Sequence, residues 1–186
     1  MRRAQTILLG LGVSLLALCS GCGGSPYNYA RSYEPHGEEG GFMEREVTLS
    51  YEEVRRFPER HSDELIGWFG TVSAIEQLDH DTGAARLTLQ YRRHQPRHLC
   101  ADERSSSCRV TVSQRQIGPF QVVLTVRPED LVDGTDRLWT GSLLKVYGHV
   151  TDPGTEETGP TIEVQYYRHF PHGRFVTTAA AGSMRR

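Results

Sequence analysis

Hydrophobic and polar positions change their period several times along this 186-residue chain. Residues 7–19 form an almost unbroken apolar run, behind Arg2 and Arg3 and ahead of the small residues Ser20 and Gly21. A permanent membrane helix needs about 20 apolar residues, so this run is too short, and the three-part layout predicts a secretory signal over residues 1–21. Residues 22–41 mix Gly, Pro, Tyr and acids without apolar periodicity, which predicts a flexible tether. Ser50-Tyr51-Glu52-Glu53 then has the capping-box pattern, and Val54 and Phe57 supply an apolar face. A short helix over 51–57, stopped by Pro58, follows from it.

From residue 65 the period becomes two. A long strand is predicted over 65–78, bent near Gly67 or Gly70, followed by the hairpin turn Asp79-His80-Asp81-Thr82-Gly83 and a returning strand over 86–91. Further strands are expected over 109–113, 120–126, 141–150 and 161–167, with one helical turn between 128 and 139. Five or six strands with little helix predict an all-β protein. The architecture expected is a small barrel with one short N-terminal helix, and a β-sandwich is the alternative. The folded body is expected over 42–178, and 179–186 is expected to be a disordered tail.

Three segments carry resemblances. Residues 141–150, with Gly141 at the entry and Val146-Tyr147-Gly148-His149-Val150 at the exit, look like the fourth strand of an OB-fold. Leu18-Cys19-Ser20-Gly21-Cys22 resembles the lipobox of bacterial lipoproteins, which implies cleavage after Gly21 and acylation of Cys22. More than one acyl chain gives firm anchoring where a single chain is marginal. Gly23, rather than Asp, follows the cysteine; by analogy with enterobacterial sorting this implies the outer membrane, and the periplasmic face is expected over the cell surface. Val54 and Pro58, leading to Trp68-Phe69-Gly70-Thr71-Val72, resemble the Slp-type outer-membrane lipoproteins. That likeness spans about 25 residues and implies architecture and location rather than an activity.

Charge narrows the partners. Lys145 is the only lysine among 21 basic residues, against 23 acidic ones, for a net charge of −2. Loss of Arg2 and Arg3 with the signal would make the chain more acidic still, so nucleic acid is not an expected partner. Lipidation of Cys22 leaves Cys100 and Cys108 as an even pair in an oxidising compartment, which predicts a disulfide. Such a bridge closes a nine-residue loop, worth about 2.6 kcal/mol in the chain-entropy model. The alternative is a zinc site from His94, His98, Cys100 and Cys108, although Pro96 interrupts the spacing that would bring both imidazoles to one helix face.

Arg92, Arg93 and Arg97, with Tyr167 and Arg168 near the C-terminus, form a candidate surface for an anionic glycan or lipid phosphate. No serine elbow, metalloprotease helix, phosphate loop or dinucleotide fingerprint occurs, and no cofactor is expected. The expectation is therefore a non-enzymatic accessory or structural docking component of an envelope assembly, bound to the membrane by its lipid and to envelope proteins. The alternatives are a module for anionic glycan or lipid and a zinc-dependent hydrolase.

Overall fold

The computed structural model describes residues 33–95 and 110–183. Cys22, Arg97, His98, Cys100 and Cys108 lie outside these, so the lipidation, disulfide and zinc-set expectations fall on residues not described. The elements are α1 (Glu39–Met43), α2 (Tyr51–Arg56), a 3-10 turn at Pro58–His61, β1 (Ile66–Leu78), β2 (Ala84–Arg92), β3 (Val110–Val112), β4 (Pro119–Thr125), α3 (Pro128–Leu131), β5 (Leu143–Asp152), β6 (Thr161–Phe170), β7 (Phe175–Thr177) and α4 (Thr178–Ser183). Ser50 caps the helix as expected, its Oγ accepting from the Glu53 amide at 3.1 Å.

Five strands close into a barrel in the order β1-β2-β4-β6-β5. All neighbours are antiparallel except β4 and β6, which run parallel. One parallel closure in an otherwise antiparallel five-stranded barrel makes this an OB-fold-like barrel. A sandwich of two open sheets does not describe it. Strand β1 closes the barrel by pairing with β5 over Ile66–Thr71 and with β2 over Phe69–Leu78. Its register slips between Val72 and Ala74 and again between Ile75 and Gln77, so the irregularities lie beyond Gly67 and Gly70. The first slip switches the inward face: Ile66, Trp68 and Val72 point into the core, and Ile75 then packs against that same core.

The interior is filled by side chains. Leu87, Leu89, Phe120, Val122, Leu144, Val146 and Ile162 are buried with Trp68. Helix α2 closes one end through Tyr51 and Val54; Tyr51 donates to the Pro119 carbonyl and Trp68 Nε1 to the Leu49 carbonyl. The other end is closed by α3 and the loop after it, through Leu131 and Leu138.

A second, smaller core lies outside the barrel wall. Phe69, Leu143 and Phe170 are covered there by Tyr33, Met43 and the parallel pair β3–β7. Two boundaries therefore differ from expectation. Residues 33–41, read as tether, pack on the barrel because Tyr33 and Glu39 are buried. Residues 178–183, largely read as tail, continue β7 as helix α4. The first difference comes from the two anchoring side chains Tyr33 and Glu39 rather than from a periodic pattern.

Candidate functional site

The four expected ligand residues that are described do not form one free surface. Cross-strand pairing puts Arg92, Phe69, Lys145 and Arg168 in one transverse row over β2, β1, β5 and β6. Each cation in that row has an internal role. Arg92 donates to the carbonyls of Ser113 and Gln114 and to Thr71 Oγ1. Lys145, buried between the rings of Phe69 and Tyr147, pairs with Glu46 at 2.9 Å. Arg168 reaches Glu39, the Tyr33 hydroxyl and the Glu34 carbonyl.

Tyr167, one residue before Arg168, faces the opposite way and donates to Asp130 at 2.6 Å. Arg93 is exposed, 3.4 Å from Glu52, in a cleft it shares with Arg115. His94 stacks on Phe69 at 4.8 Å within the outer core. Among the described residues no group of three or more His, Cys, Asp or Glu is arranged to hold a metal ion.

Burial decides the electrostatics of the strap formed by residues 33–46. Glu39 is fully buried, and its carboxylate accepts from Tyr33, Tyr147 and Arg168 and from the His36 amide. Burial pushes the Tyr33 phenol up; the Arg168 charge opposes this and the Glu39 charge adds to it. Burial, then the charges of Glu39 and Glu46, do the same to Tyr147. Both phenols thus remain donors to one carboxylate.

A different cluster sits at the α3 end of the barrel. His169 Nδ1 lies 2.7 Å from Asp130 Oδ1, and His169 Nε2 lies 3.0 Å from Ser142 Oγ. The other Asp130 oxygen accepts from Tyr167 and Arg127. Burial alone would raise the Asp130 carboxyl, but the bonds and charge from His169, Tyr167 and Arg127 outweigh it and hold it below the usual carboxylate range.

Serine, histidine and aspartate in this order are the relay of acyl-transfer enzymes. Two further requirements of a nucleophile are unmet. Ser142 is 1% exposed and its Oγ already accepts the Trp139 amide at 3.2 Å. The Gly141 and Ser142 amides, the nearest candidates for an oxyanion hole, bond to the carbonyls of Val72 and Trp139. The arrangement instead pins the turn 139–142 to the barrel.

That turn holds one wall of an open cleft of about 450 Å³, with Asp133, Arg137, Trp139, Thr140, Ser142 and His172 around it. Gly141, at φ +91°, makes the reversal that a side chain would strain. Trp139 is 52% exposed, and the Arg137 guanidinium lies over its ring at 4.8 Å while bonding to Asp133 at 2.6 Å.

None of these cleft residues is marked by sequence spacing, since Asp130, Ser142 and His169 come from three separate elements. An exposed Trp after Asp133-Gly134-Thr135-Asp136-Arg137 was the only local signal, and it reads equally as turn chemistry. No protein-family model matches the chain, and no curated protein matches it.

Proposed function

We propose that this chain is a lipoprotein of the bacterial outer membrane, anchored through Cys22, whose barrel is a non-enzymatic docking component of an envelope assembly. The lipobox and the resemblance of its entry segment to Slp-type lipoproteins support the location. The strap is the observation that carries the docking role. Tyr33 stands eleven positions after Cys22, a span that at full extension reaches at most about 40 Å. Beyond Tyr33 the chain is fastened to β5 and β6 through Glu39. An anchored barrel is thereby held close to the bilayer, which raises its effective concentration toward partners at one height.

The zinc reading gains nothing from His94, whose ring packs on Phe69. The anionic-ligand reading keeps Arg93 but loses Arg92, Tyr167 and Arg168 to internal bonds. The test is crosslinking in intact cells, capture of the tagged, full-length protein and mass spectrometry, with Cys22→Ser as control. Reproducible recovery of one envelope complex, lost in the control, supports the proposal. Recovery of the protein with lipid or glycan alone overturns it.

A further inference from the structure

We infer that the cleft beside Trp139 is a saccharide-binding subsite, a property beyond the docking role and independent of it. Three observations converge on a sugar ring. The first is an exposed indole on a rigid support. Trp139 donates its amide to Ser142 Oγ and accepts the Ser142 amide on its carbonyl, and Ser142 is fixed in turn by His169 and Asp130. A pyranose presents a face of C–H groups, weakly positive, that suits the negative face of an indole. Little ordering is left to occur on binding, so weak contacts are not spent on it.

The second is the polar company of that ring. Asp133, Arg137, Thr140 and His172 share the cleft with it, and planar acceptors and donors of these types match vicinal hydroxyls. Arg137 is held beside the ring by its bond to Asp133 at 2.6 Å, so its guanidinium is fixed in place.

The third is charge balance. Arg137 is paired with Asp133 at 2.6 Å, and Arg174 approaches Asp136 at 4.0 Å. No net positive field remains to favour a phosphate or carboxylate, so the ligand is a neutral saccharide. The size agrees: about 450 Å³ falls in the ~300–1,000 Å³ range of small-molecule sites. A flat, wholly apolar patch would have pointed to a protein, whereas this open cleft sets Asp133, Arg137, Thr140 and His172 around one indole.

The chain has two tryptophans, and Trp68 is buried, so acrylamide quenching reports on Trp139 while the emission carries both. The experiment titrates full-length protein in detergent micelles with tri- and tetrasaccharides of glucose, galactose, mannose and N-acetylglucosamine. Emission and acrylamide quenching are recorded. We expect at least one neutral saccharide to shift the emission saturably and protect the ring from acrylamide. Arg137→Ala should weaken that binding by about tenfold or more, and Trp139→Phe should retain part of it, read by calorimetry. Circular dichroism separates loss of binding from loss of fold. Absence of a saturable response to every saccharide overturns the inference, as does a response that Arg137→Ala leaves unchanged.

Discussion

Glu39 meets Arg168 at 3.1 Å although 129 positions separate them in the chain. The pair locks the strap to β6, and the carboxylate end of it is wholly buried. Removing one member of such a pair leaves the other uncompensated. Glu39→Ala is therefore expected to cost about 3 kcal/mol, toward the lower end for buried pairs because Arg168 keeps some contact with water. Glu39→Gln, which retains shape and part of the hydrogen bonding, should cost less. Urea denaturation measures both, and a midpoint for Glu39→Ala equal to that of the wild type would show that the strap contributes nothing to stability.

Asp130 makes stability depend on pH in a defined direction. Its folded carboxyl titrates below the ordinary value of about 3.9. The unfolded chain therefore binds the proton first as pH falls, and stability falls with it. The contribution is fully present above the ordinary carboxylate value and is lost as pH drops through the folded one. The stability gap between the wild type and Asp130→Asn should be largest near neutrality and shrink below about pH 4. Thermal melts over a pH series check this, and a gap constant across that interval would contradict it.

The barrel was legible because its signals repeat. Alternation along β1, β2, β4, β5 and β6, with the capping pattern at Ser50, located those five strands and α2 to within a few residues, whereas α1, β7 and α4 carried no such signal. Boundaries failed where one side chain decides them: Glu39 looks like any acid in a Gly-rich stretch until Tyr33, Tyr147 and Arg168 surround it. The ligand residues failed for a related reason. Tyr167 and Arg168 are adjacent in a strand, so they face opposite sides and cannot line one surface. The cleft was illegible since its scaffold joins Asp130, Ser142 and His169 across three elements that no sequence spacing links.

Two glycines should respond with opposite signs. Gly141 adopts φ +91°, and an added Cβ would lie 3.3 Å from His172 Cδ2. Gly141→Ala is expected to destabilise by about 1–2 kcal/mol. Gly41 lies within α1 with nothing inside 4 Å of an added Cβ. Gly41→Ala should stabilise by about 0.5–1 kcal/mol through helix propensity. Melting temperatures of the two variants, shifted down and up respectively, test the local geometry at the cleft and at the strap.

Ser142 separates a structural relay from a catalytic one. Its Oγ accepts from the Trp139 amide and can donate to His169 Nε2, while His169 Nδ1–H donates to Asp130. Ser142→Ala strands a backbone donor and an imidazole nitrogen, each in a buried setting, for a cost of about 2 kcal/mol. Because that bond holds the Trp139 turn, the variant should also show faster acrylamide quenching of Trp139. Wild-type protein should not be labelled by a fluorophosphonate, since a serine this buried, with the flanking amides engaged, offers neither access nor an oxyanion hole. Labelling of the wild type that disappears in Ser142→Ala would mean that the turn opens in solution, and would make the relay a nucleophile rather than a pin.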